Sequence, residues 1–347
     1  MTFVKRPEPM CTMDHDIARG QFVAGSAATF ASIGIVRAPA RAAQFSYKYG
    51  TDQTISSPVT SRAKEMWAAV ERETNGRLHV DTFPDSTLGG DTQMMAQVRS
   101  GALQLLTEAG QILGSVAPIA QMGALAFAFN DTKAAFTAVD GAFGDMIRSE
   151  VAKVGVHVLA HPWDNGFREI TANRPIRNAT ELQGLKMRVP ASPIALDLFR
   201  ALGASPVPLN VSELYTALQT HLVDGQENAL ININQSNLFE VQSTLNMSNH
   251  VWDCWWWLVN LDAWNALPPD IQAIVQRNVT KYAYLQRADF AALTASLTDK
   301  LHRLGMTVYA CNTASFKARL GDYYKKWRGV FGESAWTLLE QTAGKLG

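Results

Sequence analysis

Two strings between residues 161 and 230 decide the fold: GLKMRVP at residues 184–190 and SELYTALQTHLVDGQEN at residues 212–228. The first alternates with period two, so Leu185, Met187 and Val189 share one face of an expected strand and Lys186 and Arg188 the other. Pro190 stops it, because proline cannot donate to a ladder. Arg188 therefore stands near the strand's carboxyl end, the side on which open α/β sheets hold their ligands. The second string predicts a helix capped by Ser212, with Leu214, Ala217, Leu218 and Leu222 on its buried stripe. It runs into VDGQEN, a turn that lifts polar side chains to the top of the next strand.

Working outward, the pattern repeats. FSYKYGTD at residues 45–52 reads as a strand ending in a turn, and Ser57-Pro58 opens a helix with Val59, Ala63, Met66, Trp67 and Val70 inward. Asn75-Gly76 ends that helix. RLHVDTFP, a turn at Gly89-Gly90, a helix with Asp91 as its cap, and the strand LQLLTEAG complete a βαβαβ start, which implies a mainly parallel sheet. Glu108 closes that strand and points toward a cleft by the same argument as Arg188; a solvated strand end is the plainer reading. A second α/β unit begins with a strand over residues 154–161, a turn at Trp163-Asp164-Asn165-Gly166, and Arg168 in an apolar setting. HVWDCWWWLVN alternates so that Trp255 and Trp257 share one face and Trp252 and Trp256 the other. Residues 267–304 form one long helical pattern, able to bridge two domains.

The 347 residues allow two ordinary domains, and 47% hydrophobic with 18% charged content describes a folded globular chain. Lysine plus arginine equals aspartate plus glutamate at 31 each, so no overall field favours nucleic acid or a polycation. The apolar run FVAGSAATFASIGIV at residues 22–36 followed by Ala40-Arg41-Ala42 predicts a cleaved export leader over residues 1–42. A buried N-terminal helix is the alternative. Arg19-Gly20 offers only half of a twin-arginine motif, which leaves the export route open. Past the leader only Cys254 and Cys311 remain, read as buried apolar residues whose pairing stays open.

Enzyme signatures are lacking. The glycine pair matches neither GxGxxG nor GxxxxGK[ST], the seven histidines form no HExxH, and there is no GxSxG elbow. No metal or cofactor is expected.

Four strings, TNGRLHVDTFPDSTLGGD, NGFRE, GLKMRVP and GASPVPLNVSELYTALQTHLVDGQEN, resemble in order and spacing the extracytoplasmic solute-binding proteins of TRAP transporters, the DctP-like family. The likeness covers roughly residues 45–330. It implies a two-lobed, periplasmic-binding-protein-like α/β fold with mainly parallel sheets, hinge strands and a long bridging helix, closing over one organic acid for ion-driven uptake by TRAP membrane subunits. Residues 43–166 plus about 252–293 would form one lobe, and about 167–251 plus 294–347 the other. The mature chain would be periplasmic, monomeric and outside the membrane. By motif, Arg188 would grip the ligand carboxylate with its planar fork, Arg168 would add a second cation, and Asn228 a hydrogen bond. Asp52, Glu108, Ala191, Val211 and Trp255 would line the rest. Asp52 and Glu108 offer acceptors to hydroxyl groups and oppose a second carboxylate, which favours a sugar acid such as a uronate; the flat face of Trp255 keeps an aromatic carboxylate open. Ala229 stands where the family commonly has proline. An exported enzyme holding an acid on Arg188 with Glu108 as base, or a solute sensor, would use the same pocket.

Overall fold

Ser57 begins the first helix, Pro58–Glu73, by accepting the Val59 N–H at 3.2 Å, with proline at a position where a missing N–H is harmless. This computed structural model describes residues 43–346, so the expected leader lies outside the described residues. Ten strands follow one another as β1 (Phe45–Gly50), β2 (Leu78–Phe83), β3 (Leu105–Ala109), β4 (Val156–Val158), β5 (Trp163–Ala172), β6 (Lys186–Val189), β7 (Ser205–Pro208), β8 (Gly225–Ala229), β9 (Thr244–Asn260) and β10 (Thr307–Ala310). They join in the order β2-β1-β3-β9-β5-β8-β6-β7, with β4 and β10 also paired to β9.

The flanks are parallel, β1 with β2 and β3 on one side and β6 with β7 and β8 on the other. The centre is antiparallel, because β5 and β9 run through both flanks and return. β9 is 17 residues long. Its register with β5 breaks twice, between Asp164 and Gly166 and between Arg168 and Ile170. Opposite the second break, the segment from Met247 to His250 swings out of the ladder, with Asn249 at φ 43°. The Glu169 carboxylate fills the gap and accepts the N–H groups of Ser248 and Asn249. Such bulges bend a strand and raise its local twist, so both crossing strands are jointed where the two halves meet.

One helix ties the halves together. Pro269–Arg303 spans 35 residues; Ile271, Val275, Val279 and Ala283 enter the apolar cluster of Val59, Ala63, Met66 and Trp257. Further along, Phe290, Leu297 and Leu301 enter another cluster with Leu214, Ile231 and Leu238. The tryptophans divide as the alternation requires. Trp257 packs with Tyr49, Trp67 and Trp163 at centroid distances of 4.8, 5.7 and 5.0 Å, while Trp252 and Trp256 join the core on the opposite face.

Several expectations need correction. Residues 163–166 are the start of β5 and not a turn, since Gly166 at φ +85° inserts a bulge without reversing the chain. The helix Asp91–Ser100 is capped by Gly90, which frees the Asp91 side chain for other partners. The helix Val211–Gln219 starts after Asn210, one position before Ser212. It ends before Leu222, which is 56% exposed. Cys254 and Cys311 are both free thiols. Among the described residues no helix is long and apolar enough to cross a membrane.

Gly166 is the position where a small change should act on the joint. A Cβ there would lie 2.9 and 3.2 Å from the Phe290 ring, on a backbone that disfavours any side chain. Gly166→Ala is expected to destabilise the protein by more than about 1 kcal/mol in urea unfolding; an unchanged midpoint would contradict this account of the bulge.

Candidate ligand-binding site

The parallel flanks bring the carboxyl ends of β1, β3, β6 and β8 toward one cavity, and each supplies one expected residue: Asp52, Glu108, Arg188 and Asn228. Arg168 from β5, Trp255 from β9 and Val211 from the start of a helix complete the wall. The cavity measures about 30 Å³, so the cleft is closed to the size of a water or two. Ala191 differs: it is half-buried, and its neighbour Pro190 lines the wall in its place. Asp91, Asn165, Asn232 and Ile112 also face the cavity and escaped the sequence reading. Asp91 had a usable signal, its place in the loop after β2 at the same sheet edge; Asn165 was hidden by the turn reading.

Arg188 is 1% exposed. Its Nε and Nη2 both donate to the Leu209 carbonyl, at 2.9 and 2.6 Å. This occupies one side of the fork and leaves the Nη1–Nη2 edge. Among the described residues no carboxylate lies within 4.0 Å of this guanidinium. Burial pulls its pKa down to about 10, a measure of how poorly the charge is compensated.

Arg168 behaves differently. Its Nε and Nη2 donate to the two carboxylate oxygens of Glu227 at 2.6 and 2.8 Å, and Nη2 also reaches the Glu227 carbonyl at 3.0 Å. His250 Nε2 sits 3.1 Å from the same carboxylate, and its Nδ1 lies 2.8 Å from Ser248 Oγ. Burial opposes the Glu227 charge, yet Arg168 and His250 together hold its carboxyl well below the usual range. Arg168 is thus first an internal ion-pair partner, which also lines the cavity.

Asn228 is fixed through its oxygen, which accepts the Asn232 amide at 2.8 Å and the Ala229 N–H at 3.0 Å. Its NH₂ has no hydrogen-bond partner among the described residues. Glu108 Oε2, Asp91 Oδ1, Asn165 Nδ2 and Trp255 Nε1 likewise have no protein partner. A buried polar group left without any partner costs about 1–3 kcal/mol, so these atoms are available to hydrogen-bond whatever enters the cavity.

Three carboxyls crowd the wall. Burial, reinforced by the Asp91 charge, pushes Asp52 up to about 8. Glu108 rises well above the carboxylate range from burial and from Asp91 and Asp52. Asp91 is raised by burial against the pull of Arg188. At neutral pH Asp52 thus favours its protonated form, which can donate as well as accept a hydrogen bond.

Two measurements check this electrostatic picture. A carboxyl with a raised folded-state pKa contributes stability that is full below its unfolded value and lost as pH rises through the folded one. The ligand-free melting temperature should therefore fall from about pH 5 to about pH 8, and Asp52→Asn should flatten the slope. A flat or rising profile would contradict it. Glu227 has the opposite sign and matters only in acid. Glu227→Ala would strand the buried Arg168 charge and is expected to cost about 3–5 kcal/mol in denaturant unfolding, a loss under about 1 counting against the pair.

Comparison with known proteins agrees with the architecture. The family model for bacterial extracellular solute-binding protein, family 7, matches residues 49–329. The 2,3-diketo-L-gulonate-binding periplasmic protein YiaO of Escherichia coli is 30% identical over 303 residues, covering 87% of this chain and 90% of its own. A TRAP periplasmic solute binding protein from Xanthobacter autotrophicus, with bound β-D-galacturonate, superposes with TM-score 0.82 at 26% identity, covering 86% of this chain and 99% of its own. One from Sulfurospirillum deleyianum, with bound succinate, gives TM-score 0.81 at 26% identity, covering 87% and 99%. The closed cleft at the sheet's carboxyl edge, the two crossing strands and the extent of these matches lead to one conclusion: the chain belongs to the DctP family of bacterial extracellular solute-binding proteins.

Proposed function

We propose that this chain is the periplasmic receptor of a TRAP transporter and captures a monocarboxylate with a hydroxylated carbon skeleton, a sugar acid such as a uronate. The observation that carries the reading is Arg188, a buried cation with no carboxylate of the described chain within 4.0 Å. The free Nη1–Nη2 edge has the geometry for bidentate grip of a carboxylate, and Asn228 and Arg168 line the same cavity.

The choice among acids rests on the other wall. A dicarboxylate such as the succinate of one relative would bury its second charge among Asp52, Asp91 and Glu108, carboxyls with raised pKa values that offer no cation to pair with it. Carboxyls there suit hydroxyl groups as hydrogen-bond partners, as in the galacturonate of another. Trp255 offers its face to the ring. For Glu108, the candidate base of an exported enzyme, burial and the charges of Asp91 and Asp52 raise the pKa well above the carboxylate range, which opposes the ionised form a base needs. The expected lobe limits near residues 166 and 251 fall at the two register breaks, which supports hinge closure there. Export by a cleaved leader over residues 1–42 and delivery to TRAP membrane subunits complete the role.

Calorimetric titration with D-galacturonate tests it. Arg188→Ala is expected to weaken binding by about 2–5 kcal/mol, and Arg188→Lys to bind poorly as well, because it keeps the charge and loses the fork. Either variant within about threefold of the wild type, under ~0.7 kcal/mol, would reject the assignment. Arg188→Met should at the same time leave the ligand-free melting temperature equal or higher, since it removes an uncompensated buried charge. Ligand recovered chemically changed after denaturation would favour the exported enzyme instead.

A further inference from the structure

Two helices that begin at opposite ends of the sheet meet over the cavity. The helix Asp91–Ser100 follows β2, and Val211–Gln219 follows β7, the two terminal strands of the sheet order. The first turn of any helix leaves backbone N–H groups without intrahelical acceptors. Here each helix supplies the acceptor the other lacks. The Asp91 carboxylate accepts the Val211 N–H at 3.2 Å, and Asn210 Oδ1 accepts both the N–H and the hydroxyl of Thr92 at 3.3 Å.

The local sequence is arranged for this exchange. Gly90, the cap of the first helix, has no side chain to do the capping. Its bareness also makes room, since a Cβ there would fall 2.8 Å from Asn210 Cγ and 3.0 Å from its Nδ2. Glu213 receives the Asn210 N–H at 3.0 Å and the side-chain NH₂ at 3.2 Å, which turns Asn210 Oδ1 toward Thr92.

We propose that Asp91 and Asn210 form a reciprocal latch across the mouth of the cleft, each capping the opposite helix, and that this latch sets how long a captured anion stays. They act as positioning residues, through closure. The proposal rests on the reading of the chain as a binding protein that closes by a hinge. Opening the halves breaks three hydrogen bonds, exposes their five groups to water and returns both helix ends to their uncapped state, so the latch slows release more than entry.

Hydrogen exchange of individual amides in the full chain tests it, in the ligand-free protein and with D-galacturonate. The Val211 amide should exchange about three to ten times faster in Asp91→Ala than in the wild type, and the Thr92 amide likewise in Asn210→Ala, the effect of losing one hydrogen bond. Asp91→Asn retains an oxygen acceptor and should keep Val211 protected. Gly90→Ala should expose Thr92 as Asn210→Ala does, and the double variant should be no faster than Asn210→Ala alone, because the obstructed side chain is then gone. Melting temperatures should stay near the wild type. Where D-galacturonate binds, its dissociation from Asn210→Ala, whose altered side chain lies outside the cavity wall, should accelerate by the same factor with association unchanged. Equal exchange in wild type, Asp91→Ala and Asn210→Ala under both conditions would overturn the latch. A chain that ignores D-galacturonate contradicts the ligand reading instead, and the ligand-free comparison still decides the latch.

Discussion

A guanidinium buried without a carboxylate beside it is an expensive object, and the cleft is built around keeping Arg188 in that state. Proteins usually neutralise a buried charge within the fold or shift its pKa until it disappears. Arginine resists the second route because its pKa is so high, and the chain declines the first by giving Arg188 only the Leu209 carbonyl. The remaining edge of the fork faces a wall of groups without protein partners. In the proposed role, an anionic guest would complete this unfinished electrostatic satisfaction.

Arg168 illustrates the opposite solution a few ångströms of wall away. Glu227 takes its charge completely, and His250 and Ser248 extend the network toward the bulge that Glu169 fills. The chain of contacts from the cavity wall to the jointed part of β9 is continuous and buried. Both arginines line the same cavity, yet one is ion-paired within the fold and the other has no carboxylate of the described chain within 4.0 Å.

Much of this was legible in the sequence because it followed local periodicity. GLKMRVP placed Arg188 at a strand end, the alternation in WDCWWW divided the tryptophans correctly, and the long helical pattern at residues 267–304 became the bridging helix. What periodicity could not show was pairing between distant segments. Nothing in NGFRE reveals that Arg168 meets Glu227, and nothing in the HPWDNGFRE run distinguishes a turn from a bulged strand, because Gly166 serves both. Leu222 was misplaced because the helical stripe continued past a helix that had already ended. Asp91 was assigned to its own helix, whereas its partner is the N–H of another helix 120 residues away.

The central claim is that the cleft recognises a carboxylate through its charge, and a matched pair of ligands isolates that claim. D-glucuronate and its neutral amide, D-glucuronamide, have nearly the same shape and hydroxyl pattern, so titrating both against the wild-type protein compares the charge alone. The account predicts that the acid binds more than about tenfold tighter, a difference of ~1.4 kcal/mol or more. Equal affinity for the two, or tighter binding of the amide, would contradict it.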